Sequence, residues 1–184
     1  VGRSYGFERT RKSLVVHLDE DERRLLRSIA QQVIELVAPP AAPADQDPLV
    51  AMVGIDMDAR RSEDPAVARL FPDAFTDDED AAQEFRRFTE RDLREGKVSN
   101  ARAVIDCTSP ASAGALQVPD ALVLPWLGFF NDARLTIGTR LGITDDSREE
   151  FDQMDDDDPR FAMAQIYDWL TYLQDSLLQH LVAE

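Results

Sequence analysis

Basic charge is what this sequence has too little of. Lys and Arg number 20 against 36 Asp and Glu, a net charge of −16 over 184 residues with a pI near 4.4. That deficit argues against a chain whose main work is gripping nucleic acid, since phosphate binding rests on surplus Lys and Arg. It argues equally against an anionic membrane surface as partner. Net charge governs solubility and encounter rather than fold, so a local basic patch stays compatible with it. Cysteine is nearly absent: Cys107 alone excludes a disulfide within this sequence and a cysteine-based zinc site. The two histidines, His17 and His180, stand near opposite ends, without the helix-borne spacing of a zinc hydrolase. No G-x-S-x-G, P-loop or G-x-G-x-x-G occurs, so neither a metal nor a cofactor is expected. Long apolar runs are missing too. Ala121–Phe130 falls short of the roughly 20 residues that span a bilayer. With no secretory h-region, the expected setting is a reducing cytoplasm.

What is present is an ordinary globular composition, 43% hydrophobic and 30% charged, in a chain of one-domain size. It is organised around Leu122–Ile143, LVLPWLGFFNDARLTIGTRLGI. Trp126, Phe129, Phe130, Ala133, Ile137 and Leu141 recur at three- and four-residue steps and share one helix face. Asp132, Arg134, Arg140, Gly128 and Gly138 are interleaved with them. Pro125 fits only near the first turn, and Gly142 is a suitable terminator.

Upstream, Tyr5–Thr10 and Ser13–Leu18 read as a hairpin arm over residues 1–18, turning at Arg11 and Lys12. Asp19 with Glu22 is a capping-box spacing that opens a helix whose apolar stripe runs from Leu25 to Val37. Pro39 and Pro40 end it, and residues 38–48 form a loop. Leu49–Met57 is an apolar patch of undecided type. Asp64 and Pro65 start a short helix that Pro72 stops. Thr76 with Glu79 predicts a capping box for a long helix to about Asp106. On it Phe85, Phe88, Asp92, Gly96, Ser99 and Ala103 share a side read as inward, which would leave Asp92 needing a partner. Cys107–Val118 reads as a loop. Residues 144–158 form an acidic loop with one short turn near Ser147–Gln153, and Asp158 caps the last helix. The expected fold is mainly α: one domain over 1–184, a bundle of three to four principal helices with a small N-terminal β-hairpin.

Candidate chemistry is sparse. The Asp155–Asp158 run lacks the spaced ligands and turn glycine of a calcium loop and reads as a solvated cap. Cys107 is a small packing or loop thiol, with oxidant response left open. Asp92, Asp132, Arg134, Arg140 and Asp168 form the stronger constellation. Asp132 and Arg140 lie eight residues apart on one helix side, with Thr136 between, and facing helices would pair them as guanidinium–carboxylate forks. With no nucleophile beside them, they read as a structural polar network fixing helix register. Arg3, Arg9, Arg11 and Lys12 make the arm locally basic. They are candidate nucleic-acid contacts, with Arg86, Arg87, Arg91 and Arg94 alongside, although a solvated edge explains the arm as well.

Several segments together resemble a known family. They are Asn131-Asp132-Ala133-Arg134-Leu135, Gly138-Thr139-Arg140-Leu141-Gly142, Tyr167-Asp168-Trp169-Leu170 and Leu173-Gln174-Asp175-Ser176-Leu177. Leu26-Arg27-Ser28, Asp64-Pro65, Phe71-Pro72-Asp73-Ala74 and Phe85-Arg86-Arg87 extend the match from about Asp19 to Leu181. The family is actinobacterial, of unknown function, and encoded beside the Clp protease adaptor; its members are often called transcriptional regulators of the oxidative-stress response. The resemblance implies a non-enzymatic regulatory or adaptor protein working through protein–protein contacts, with a sigma factor or other transcription component as partner and a homodimer open. The single Cys107 leaves only a mixed or intersubunit disulfide for a redox response. Two alternatives are kept: direct DNA binding through the basic N-terminal arm, and a carboxylate- or metal-dependent enzyme using Asp92, Asp132 and Asp168. Nucleic acid is not expected as a partner on its own, nor is a membrane.

Overall fold

A computed structural model describes residues 6–11, 13–39, 60–109, 115–144, 147 and 154–182. The chain is mainly α. Among the described residues, five helices and a small antiparallel sheet share one hydrophobic core. Strands β1 (Phe7–Arg9) and β2 (Ser13–Val16) form the expected hairpin, with Phe7 opposite Val16. A third strand, β3 (Leu116–Pro119), pairs with the other edge of β2, setting Leu14 against Val118 and Val16 against Leu116. It arises inside a stretch that reads as loop. Leu116 and Val118 alternate correctly, but four residues among small polar neighbours carry too little period-2 signal, and their partner lies about a hundred residues upstream. Leu14, Val16 and Val118 are fully buried, so one face of the sheet lies on the helices.

Helix α1 (Glu20–Val37) starts as its caps dictate. The Asp19 carboxylate accepts from the Glu22 N–H at 2.9 Å, and the Glu22 carboxylate accepts from the Asp19 N–H at 2.7 Å. Helix α2 (Pro65–Leu70) is capped by Asp64, which accepts from the Ala66 N–H at 2.8 Å. Helix α3 (Glu79–Cys107) begins two residues later than the Thr76 spacing predicts. Asp78 takes the cap and accepts from the Ala81 N–H at 2.9 Å. A 3₁₀ turn (Asp120–Leu122) leads into α4 (Val123–Leu141), which Gly142 ends in the left-handed region at φ 71° while the Ile143 N–H reaches back to the Gly138 carbonyl at 2.8 Å. Helix α5 (Phe161–Val182) closes the fold. The Leu49–Met57 patch and most of the expected turn near Ser147–Gln153 lie outside the described residues.

α4 is the rod on which the rest is laid, touching α1, α2, α3 and α5. Trp126, Phe129 and Phe130 are wholly buried. Phe7 of β1 meets the Trp126 ring edge-on at 5.9 Å, and Trp126 meets Phe130 at 5.8 Å, spacings at which T-shaped ring pairs attract. Phe7 is also held by its backbone from α5. Its N–H donates to the Ser176 hydroxyl at 2.7 Å, and its carbonyl lies 2.7 Å from His180 Nε2. Gly138 lets α5 approach: a Cβ there would stand 3.3 Å from the Tyr167 ring.

The orientation of α3 departs from the sequence reading. Phe85, Phe88, Asp92, Gly96 and Ser99 face solvent, and the buried side is Ala82, Arg86, Glu90, Ala101 and Val104. The reason is electrostatic. The inward stripe carries charges that neutralise one another and find partners on the turn after α2, so burying it leaves no unpaired ion. Exposed apolar residues violate no rule, because apolar atoms cover much of any protein surface.

Candidate functional site

Five residues singled out from sequence do not converge; the fold sends them to separate places. Asp132 is buried at the α3–α4 contact, where Lys97 Nζ donates to its carboxylate at 2.6 Å. Burial pushes the Asp132 carboxyl above its ordinary range, and the Lys97 hydrogen bond and charge only partly offset this. Arg134 turns to α5. Its Nε donates to the Thr171 hydroxyl at 2.8 Å, its Nη1 to the side-chain amide oxygen (Oε1) of Gln174, and its Nη2 to the Tyr167 hydroxyl at 3.3 Å. Its guanidinium also sits 5.2 Å from the Tyr167 ring centre, within cation–π range. Arg140, two turns beyond Asp132, pairs with Asp64 at 2.6 Å and ties the end of α4 to the cap of α2. That hydrogen bond from Arg140, with the Ala66 N–H, holds the Asp64 carboxyl below its ordinary range. Asp92 and Asp168 are exposed on α3 and α5. Asp132 and Arg140 share a helix side but stand about 12 Å apart at 1.5 Å per residue, too far for one network.

A charged cluster that the sequence reading missed lies under α3. Arg86, only 7% exposed, donates to Glu90, to Asp73 at 2.6 Å and to the Phe71 carbonyl at 3.2 Å. Arg94 donates to the far oxygen of Glu90 at 2.7 Å and to the Val37 carbonyl at 3.1 Å, with its guanidinium 4.5 Å from the Phe71 ring centre. Burial lowers the Arg86 pKa, but Glu90 and Asp73 outweigh it, leaving the guanidinium firmly charged. The signal was available: Arg86, Glu90 and Arg94 follow one another at i,i+4. Two of the four α3 arginines considered for nucleic acid are therefore engaged inside, and Arg91 pairs with Glu95 at 3.1 Å. In the N-terminal arm Arg9 pairs with Asp120 and Arg11 is exposed, while Arg3 and Lys12 lie outside the described residues.

Cys107 ends α3, half-buried. Burial raises its thiol pKa and the nearby Asp106 charge adds to this, against the indole N–H of Trp126, which favours the thiolate. A thiol so placed is mostly protonated at neutral pH and a slow nucleophile. Among the described residues no group of three or more His, Cys, Asp or Glu is placed to hold a metal ion, and no helix is long and apolar enough to cross a membrane.

Two adjoining hollows flank the start of α3. One, of about 620 Å³, is lined by Arg60, Arg61, Asp73, Phe75, Glu79 and Arg86 among others. The other, of about 230 Å³, lies between the end of α2 and α3 over Leu70, Phe71, Phe85 and Leu93. The charged groups at their shared wall are already paired: Asp73 accepts from both Arg86 and Arg61, the latter at 3.2 Å. The arrangement offers binding surface, with no poised nucleophile–base pair among these groups.

Residues 4–181 match the model of a family described as a domain of unknown function, DUF2017. The chain belongs to this family. Relatives of this DUF2017 chain carry the name AosR. The one from Mycobacterium leprae (strain TN) is 30% identical over 176 residues, covering 88% of this chain and 79% of the relative. Those from Mycobacterium bovis (strain ATCC BAA-935 / AF2122/97) and Mycobacterium tuberculosis (strain ATCC 25618 / H37Rv), named oxidative stress regulator AosR, are each 29% identical over 184 residues. They cover 92% of this chain and 81% of the relative. No solved structure matches this DUF2017 chain.

Proposed function

We propose that this chain is a non-enzymatic cytoplasmic regulator of the oxidative-stress response that acts by binding another protein, a sigma factor or other transcription component. The observation that carries the reading is its similarity, over nearly its whole length, to proteins named oxidative stress regulator. The geometry is consistent with it. Asp132, Arg134 and Arg140 are occupied in bonds that hold helices together, whereas apolar side chains of α3 face outward. The surplus of carboxylates suits contact with a basic protein surface better than with phosphate. Cys107 confines any disulfide chemistry of this sequence to a mixed or intersubunit bond.

The test is deletion in the organism that carries the chain, followed by peroxide challenge and transcript profiling. Restoration of an altered oxidant-dependent profile by the wild-type chain is the expected result. Identical profiles in deleted and intact strains, with and without peroxide, would remove the reading.

A further inference from the structure

The outward side of α3 carries large apolar side chains among its charges, where a helix lying over a core is ordinarily polar. Phe75, Phe85, Phe88 and Leu93 are between 45% and 55% exposed, and Phe75 meets Phe85 edge-on at 6.1 Å, so they form a group rather than scattered singles. The 230 Å³ hollow opens beside them, with Phe85 and Leu93 on its wall. Grouped exposed apolar side chains beside a hollow mark a contact site. Exposed carboxylates stand around them, Asp77, Asp78, Glu84 and Asp92, while the exposed Arg60 and Arg61 lie toward the Phe75 side. Of the nearby arginines, Arg86 is used inside, Arg61 is paired to Asp73 and Arg91 to Glu95, which leaves Glu84 and Asp92 as the acidic groups of this face.

We infer that this face of α3 binds a cationic amphipathic helix of a partner protein. The partner's apolar stripe lies across Phe85, Phe88 and Leu93, one of its large apolar side chains enters the hollow, and its Lys or Arg residues stand over Glu84 and Asp92. This is the helix-in-groove mode, with apolar anchors supplying affinity and the charged rim fixing partner choice. Charge decides among occupants. A second copy would bring −16 against −16 and set the same carboxylates face to face, and a nucleic acid would meet the same repulsion. The inference rests on the reading that the chain works through protein contact, and it names the surface and the chemistry of what docks there.

The probe is a synthetic 18-residue helical peptide with leucines along one face and lysines along the other, titrated into the full chain at 150 mM salt and followed by fluorescence anisotropy. A counterpart carrying glutamates in place of the lysines runs in parallel. Binding of the lysine peptide in the micromolar range, with none of the glutamate peptide, is expected. Phe85→Ser with Phe88→Ser, which removes no charge, should weaken binding at least tenfold while circular dichroism and the melting temperature stay at wild-type values. Glu84→Lys with Asp92→Lys should weaken it by a similar factor. Undiminished affinity in the serine variant would reduce the effect to unspecific charge attraction and overturn the proposal. So would Phe85-dependent self-association in sedimentation equilibrium, or protection of Phe85 and Phe88 from hydroxyl-radical footprinting in the free chain. The two readings fail separately. A serine variant that loses the peptide yet restores the peroxide response in the deleted strain refutes this surface and leaves the regulatory role standing. A wild-type chain that binds the peptide but restores nothing refutes the role.

Discussion

Helices α3 and α4 pack side by side and treat their polar groups in opposite ways. α4 buries aromatic rings and tucks in one carboxylate, Asp132, against a lysine from its neighbour. α3 buries a chain of arginines and glutamate and presents phenylalanines to water. The difference teaches that apolar periodicity locates the inner face of a helix only where the facing elements offer no counter-charges. On α3, Asp73, the Phe71 ring and carbonyl, and the Val37 carbonyl were waiting for guanidinium groups. The charged stripe went inward because it could be fully satisfied there.

Breaking that comparison is a matter of truncating one residue on each face. Phe130→Ala in α4 should cost about 3–5 kcal/mol of unfolding free energy, the usual loss for an aromatic deleted from a packed core. Phe88→Ala on α3 should stay within about 0.5 kcal/mol, as for an exposed site. Urea denaturation of both variants checks the pair, and equal losses would mean that α3 is turned the other way. Next in size is Glu90→Ala, which takes the shared carboxylate from the buried Arg86 and leaves Arg94 with no ion-pair partner among the described residues. A loss of about 3 kcal/mol is expected, measured in the same way, whereas Glu95→Ala at the exposed pair on the same helix should cost under about 1 kcal/mol.

The acid limb sharpens the contrast between buried and exposed carboxylates through opposite signs. Asp132 has a folded pKa above the ordinary aspartate value of 3.8, so the folded state holds its proton longer than the unfolded state does. Its contribution is therefore greatest below pH 3.8 and is lost as pH rises through the raised folded value. Asp64 is depressed by Arg140, so its contribution is present above 3.8 and lost as pH falls through the lowered value. Carboxyl carbon shifts in an NMR titration should give a midpoint above 3.8 for Asp132 and below it for Asp64. Asp132→Asn should flatten the corresponding decline in stability with rising pH. The smallest effects come from glycine. Gly96 sits mid-helix with nothing within 4 Å of where a Cβ would go, so Gly96→Ala should stabilise α3, by about 0.4–1 kcal/mol. Gly128→Ala on α4 should give no such gain, since Asn100 Nδ2 lies 2.5 Å from its would-be Cβ and has to move. Thermal melts of the two variants distinguish them.

Local signals were the legible part of the fold. Asp19 with Glu22 and Asp64 with Pro65 open helices where their chemistry says they should, and the Trp126–Leu141 stripe lies in the central helix. Each of those signals is complete within a few residues. What stayed hidden depended on partners distant in sequence. β3 exists because β2 supplies its ladder, and Asp78 displaced Thr76 because a nearer carboxylate reached the Ala81 N–H. At the candidate site the same limit applied. Asp132 and Arg140 could be placed on one side of a helix, but their partners Lys97 and Asp64 come from other helices. Glu90 was readable as the middle of an i,i+4 triplet, yet its burial rests on Asp73 and Phe71 being brought under it.

The grip of α5 on Phe7 has a bearing on how the molecule is made. Ser176 and His180 follow Phe7 by 169 and 173 residues, so this strand edge finds its bonding partners only once the segment through α5 has left the ribosome. At roughly 5–20 residues per second the interval is on the order of ten to thirty seconds. Throughout it the outer polar groups of β1 are available to any passing strand, the exposure that makes an unpaired edge prone to intermolecular pairing.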